Sequence, residues 1–104
     1  IYSEDLAKLF MWTLENYGER ESLILSVGEK NEVSIKTVAT EIAKSFNYEH
    51  MMEFDTRYAD GQYKKTADNK KLISLTKDIV FTSIQEGIKD NTKWFIDNFD
   101  NARK

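Results

Sequence analysis

The chain has no cysteine and no proline. Without cysteine there is no disulfide framework and no thiolate metal site, so any core must form by packing alone. A reducing cytosol fits this composition without being required by it. Without proline the turns must come from Gly, Asn, Asp and Ser, and only four glycines are available. Those four, Gly18, Gly28, Gly61 and Gly87, are far apart, so neither a dinucleotide fingerprint nor a Walker loop can be assembled. No tyrosine is followed four residues later by lysine, which removes the Tyr-x-x-x-Lys acid–base pair. There is one histidine, His50, between two predicted elements. A single His seldom makes a metal centre or a relay, so the reading is a surface residue and no metal site. No apolar run is long enough to span a bilayer, and no signal peptide is read at the start. The net charge of −3 is too mild to indicate a nucleic-acid partner.

What is present is a chain of 104 residues, 40% apolar and 32% charged. That balance is globular rather than disordered, and the length suits one small domain or part of a larger one. Leu6, Leu9, Phe10, Leu14 and Tyr17 recur at helical spacing and predict a first helix over 4–17, with Ser3 or Asp5 as cap and Gly18 as stop. Ile35, Val38, Ala39, Ile42 and Phe46 predict a second helix over 34–46, capped by Ser34. Ser83 and Glu86 stand in capping-box spacing before a third helix over 83–99, lined by Ile84, Ile88, Phe95 and Phe99. The apolar runs 22–27 and 51–55 read as short buried strands, and 69–75 as one or two helical turns. The expected class is α/β, with three main helices and a few short strands, too few to close a sheet. The abrupt opening Ile1-Tyr2-Ser3-Glu4-Asp5 and the polar close Asn101-Ala102-Arg103-Lys104 suggest the C-terminal part of a larger protein.

Between 56 and 69 the periodicity vanishes. Arg57, Lys64, Lys65, Lys70 and Lys71 gather there, broken by Asp55, Asp60 and Asp68. The local balance is positive within an acidic chain, and lysines serve as point charges for phosphate. Tyr58 and Tyr63 offer flat faces to a base or sugar, and Gly61 permits a tight turn or a close approach to a ligand. From the residues alone an ordinary solvated loop is the favoured reading. Gly28 reads likewise as a simple turn residue.

Several stretches resemble animal GDP-L-fucose synthases, of the extended short-chain dehydrogenase/reductase superfamily. They are Ile1–Ala7, Ile24–Glu29, Glu32–Lys36, Phe54-Asp55-Thr56, the run Asp60-Gly61-Gln62-Tyr63-Lys64-Lys65-Thr66-Ala67, and Trp94–Phe99 through to Lys104. The Val-Gly and Ser-Ile elements recur widely in that superfamily, whereas the Asp-Gly-Gln-aromatic-Lys-Lys-Thr run is more specific. Tyr58-Ala59 stand where bacterial relatives tend to place Lys-Pro.

The resemblance implies that residues 1–104 are a C-terminal substrate-binding lobe, with the Rossmann domain absent. It implies a full-length enzyme that converts GDP-4-keto-6-deoxy-D-mannose to GDP-L-fucose, by epimerisation at carbons 3 and 5 and reduction of the 4-keto group with NADPH. It implies a cytosolic homodimer whose NADP(H) and catalytic groups belong to the N-terminal domain, so that this chain alone is expected to be inactive. By carry-over, Asp60 and Lys65 match the family's substrate-binding aspartate and lysine, for hydroxyl or amine hydrogen bonding and for the anionic end of the substrate. Two alternatives remain: a free-standing binding module, or another nucleotide-sugar epimerase or dehydratase of the same superfamily.

Overall fold

Glu4 and Asp5 fall in the first turn of the first helix, where the positive end of the backbone dipole favours acids. In the computed structural model, which describes residues 1–58, 61 and 63–103, this helix, α1, spans Ser3–Asn16. Glu4 precedes Lys8 by one turn and pairs with it at 3.2 Å, the better orientation for such a pair. Neither Ser3 nor Asp5 caps it; Tyr2 holds the N-cap position without a side-chain bond. The stop is not glycine's work either, because Tyr17 turns extended at the C-cap.

α2 spans Ile35–Ser45, and the Ser34 hydroxyl accepts from the Thr37 N–H as its sequence suggests. It ends at Asn47, whose φ of 56° suits the short polar side chain of Asn. α3 spans Lys70–Thr76, the helical turns read between 69 and 75. It closes at Lys77, φ 55° and ψ −48°, where the Asp78 N–H reaches back to the Thr76 carbonyl at 2.6 Å. That is a strained γ-turn on a non-glycine residue. α4 spans Ile84–Asp97 and opens with the expected capping box between Ser83 and Glu86. Short 3-10 turns lie at Glu29–Asn31 and Glu49–Met51.

The chain divides into two compact units, each built from two separate stretches. The first combines residues 1–32 with 62–82, and the second 33–61 with 83–104. In the first, Leu9 of α1 and Leu72 of α3 are 2% and 0% exposed. The buried Asp5 carboxylate accepts from both the N–H and the hydroxyl of Thr82, at 2.7 and 2.9 Å. In the second, α2 packs on α4, and the Ser45 and Thr92 hydroxyls join the two helices at 2.8 Å.

Two expectations are corrected. Among the described residues no strand forms, so the predicted strands at 22–27 and 51–55 are irregular chain, the second beginning in the 3-10 turn. A strand exists only by pairing, and an apolar run with no ladder partner has no means to become one. The architecture is therefore mostly helical: the three expected main helices and, as α3, the helical turns expected at 69–75. Nor are the predicted apolar stripes core. On α1, Leu9 is buried, but Leu14 is 80% exposed and Phe10 also faces outward; on α2, Ile35 is 83% exposed. α1 carries apolar side chains on opposite sides, Leu9 on one and Ala7, Phe10, Met11 and Leu14 on the other.

The accessible surface totals 9011 Å². Phe46, Tyr48, Met51, Val80, Trp94, Ile96 and Phe99 are among the large apolar side chains left exposed. No helix is long and apolar enough to cross a membrane among the described residues.

Candidate functional site

The five basic residues gathered between 57 and 71 have different fates. Arg57 forks onto Asp55, with Nε to Oδ1 at 2.9 Å and a terminal nitrogen to Oδ2 at 2.7 Å. This bidentate hydrogen bonding holds the Asp55 carboxyl below its usual range. Lys64 sits between Glu29, which it hydrogen-bonds, and Glu32 Oε2 at 3.7 Å. Lys70 lies 3.4 Å from Asp68. Lys71 takes Glu19 at 2.7 Å and Glu21 at 2.9 Å, with the Tyr17 ring 5.2 Å away. Hydrogen bonds that the Lys71 ammonium donates to Glu19, Tyr17 and Glu21 raise it above its ordinary value. Lys65 is exposed and, among the described residues, has no carboxylate partner. Asp60, the other expected substrate-binding residue, lies outside the described residues.

Lys65 belongs to a segment, 64–69, that is fastened at both ends to residues 26–32. Lys64 binds Glu29 and Glu32 at one end. At the other, the Asn69 side-chain N–H donates to the Ser26 carbonyl at 3.0 Å. Gly28 makes room for that contact. A Cβ built on it would lie 2.7 Å from Asn69 Oδ1, closer than non-bonded atoms approach. Its φ of −87° is open to any residue, so glycine is needed there for space and not for a turn. At Gly61, in contrast, no atom lies within 4 Å of where a Cβ would sit, so no contact of the Gly28 kind occurs there. The two segments border a cleft of 810 Å³, with Lys30, Asn31, Thr66 and Lys70 at its edge and Ile73 and Phe81 among its apolar lining.

Sequence reasoning missed Glu29, Glu32 and Asn69. Lys64 and Glu29 are 35 positions apart, and nothing in the local pattern couples them. The one available signal was Gly28, an unexplained glycine after an apolar run. His50 stands exposed in the 49–51 turn with its ring 5.8 Å from that of Tyr48. No group of His, Asp and Glu side chains suited to a metal ion occurs among the described residues.

No family model matches the chain. Individual proteins do, and by name they are enzymes that make a nucleotide sugar. GDP-L-fucose synthase of Dictyostelium discoideum is 57% identical over 104 residues, all of this chain and 32% of that protein. Probable GDP-L-fucose synthase of Drosophila melanogaster is 48% identical over the same span, again 32% of its length. Crystal structures of a GDP-L-fucose synthetase from Naegleria fowleri, one of them bound to NADP, superpose on the whole chain with TM-scores of 0.94 and 0.95 at 42% identity. The chain spans about a third of the length of the relatives it matches. In sequence and in fold it corresponds to the C-terminal portion of GDP-L-fucose synthases.

Proposed function

We propose that this chain is the substrate-binding portion of a GDP-L-fucose synthase, the enzyme that epimerises GDP-4-keto-6-deoxy-D-mannose at carbons 3 and 5 and reduces its 4-keto group. The observation that carries the reading is Lys65. Among the described residues it is the only one of the five clustered cations that no carboxylate neutralises. It lies inside the Asp-Gly-Gln-aromatic-Lys-Lys-Thr run, the more specific part of the resemblance. An exposed, uncompensated ammonium is the group a diphosphate requires, and it acts there as a point charge. Asp60 completes the assignment by resemblance alone, accepting a hydrogen bond from a hydroxyl or amine of the nucleotide sugar.

Epimerisation beside a ketone needs a base, an acid and a group that stabilises the enolate. This chain has no Tyr-x-x-x-Lys pair and a single exposed histidine, so those groups belong to the rest of the longer protein. NADPH, when bound there, supplies the hydride. The four scattered glycines do not fit a dinucleotide cradle, so these residues are not its site. The role of residues 1–104 is to bind and orient.

The bare apolar faces support a lobe over a free-standing module. Ala7, Phe10, Met11 and Leu14 on α1, and Ile35 on α2, are exposed in a chain a third as long as its relatives. In the whole enzyme these faces are covered by the remaining polypeptide, and the irregular runs 22–27 and 51–55 gain strand partners there, restoring the α/β character of an extended short-chain dehydrogenase/reductase. The enzyme so assembled is a cytosolic homodimer.

The test is Lys65→Ala in the full-length enzyme, with NADPH oxidation followed against the concentration of GDP-4-keto-6-deoxy-D-mannose. Loss of one charge-assisted contact raises KM for the GDP-sugar by about 10-fold or more. An unchanged KM refutes the assignment.

A further inference from the structure

A flexible lysine on a loop loses binding strength if the loop must be ordered each time substrate arrives, because ordering costs free energy at that step. Lys65 sits in an irregular segment, 64–69, whose last residue, Asn69, is the N-cap of α3, its carbonyl accepting from the Ile73 N–H at 3.0 Å. That segment is nevertheless fastened twice to the same short stretch. Lys64 Nζ is held by Glu29, the first residue of the 29–31 turn, and, at 3.7 Å, by Glu32, its C-cap. Five residues later Asn69 donates to the Ser26 carbonyl, with its amide seated against Gly28. The two neighbouring lysines thus have opposite surroundings. Lys64 is spent on two carboxylates, whereas Lys65 has none among the described residues.

We infer that Lys64 and Asn69 are positioning residues: together with Glu29, Glu32 and Gly28 they clasp the 64–69 segment so that Lys65 is presented to the diphosphate of the GDP-sugar. The inference rests on the reading in which Lys65 meets substrate. It divides the Lys-Lys pair into one residue that binds the protein and one that binds the ligand. It also turns the acidic turn at 29–32, which by charge alone would repel a GDP-sugar, into part of the binding apparatus.

Full-length enzyme variants test it, with KM for GDP-4-keto-6-deoxy-D-mannose, kcat and thermal melting measured for each. Lys64→Ala and Glu29→Gln are each expected to raise KM roughly 2- to 5-fold, the scale of an exposed ion pair, with kcat and melting temperature little changed. Lys64→Arg keeps KM near the parent value. The exchange Lys64→Glu with Glu29→Lys recovers part of the loss. Asn69→Ala shifts KM in the same direction as Lys64→Ala. Glu29→Gln separates this inference from its rival. If Lys64 itself bound the diphosphate, releasing it from Glu29 would lower KM, and that result overturns the inference. So does an unchanged KM in both Lys64→Ala and Glu29→Gln while Lys65→Ala raises it, which leaves the substrate reading standing. If Lys65→Ala leaves KM unchanged, the substrate reading and this inference fall together.

Discussion

Asp5 is a carboxylate only 7% exposed, on a helix face otherwise held by Leu9. Its two oxygens are both used, one by the Thr82 N–H and one by the Thr82 hydroxyl. Removing them leaves a backbone donor without its acceptor, and hydrogen bonds to a charged group contribute about 1.5–3 kcal/mol. Asp5→Ala should therefore lower the melting temperature of the full-length protein by several degrees, while Asp5→Asn, which keeps one acceptor, loses less. Equal melting of parent and Asp5→Ala would show that Thr82 finds another partner at no cost. At this scale the sequence disclosed residue types and hid their pairings. The cluster of cations from Arg57 to Lys71 was plain to read, and within it Lys65 was singled out by the family resemblance alone. That Glu19, Glu21, Glu29 and Glu32 would neutralise Lys71 and Lys64 was not, because those partners are brought in by the fold from 32 to 52 positions away. Gly28 was visible as a turn residue and does open the 29–31 turn, but the room it leaves for Asn69 had no local signal, because Asn69 is brought there by the fold.

Helices were legible wherever their signals were local. Ser34 caps α2 and the Ser83–Glu86 box opens α4, because both bonds close within three residues. Ser83→Ala removes the acceptor for the Glu86 N–H and the donor to the Glu86 carboxylate. A loss of about 1 kcal/mol follows, read as a lower denaturation midpoint with unchanged m-value. No shift at all would mean that water replaces the cap without cost. The strands were not legible in the same way. Leu23, Ile24 and Leu25 satisfy the composition of a buried strand, but pairing is a property of two segments. α1 misled for a related reason: with apolar residues on opposite sides, the 3.6-residue period cannot say which side meets the core first. The γ-turn at Lys77 also had no sequence signal, because the usual glycine is missing there.

For the whole molecule, pH acts through exposed charges that share one sign of shift by type. Glu19, Glu29, Asp55, Asp68 and Glu86 all titrate below their ordinary values, chiefly through hydrogen bonds from Lys71, Lys64, the Arg57 side chain, the Lys70 N–H and Ser83 respectively. A depressed carboxylate stabilises the fold above its unfolded pKa, 3.8 or 4.5 here, and that contribution is lost as pH falls through the folded value. Lys44, Lys64 and Lys93 are raised, chiefly by hydrogen bonds to Glu41, Glu29 and Asp97, and Lys71 chiefly by Glu19. Their contribution is whole below 10.5 and fades as pH rises through the higher folded values. The far-ultraviolet circular dichroism of the chain should hold between about pH 5 and 10 and weaken beyond either limit. Because every one of these charges meets solvent, molar salt should flatten the profile. A helical signal that strengthens on acidification below pH 4 would contradict the assignment of these pairs.

The interleaving of the two units carries a practical corollary. Each is assembled from two stretches, 1–32 with 62–82 and 33–61 with 83–104, so the backbone passes from one to the other three times. No single scission releases either unit intact, and a protease nick at one crossing leaves a cut body still tethered at the other two. Anyone grafting the 64–69 segment into another scaffold must transplant both stretches of its unit, since 64–69 detached from 26–32 would leave its anchors behind.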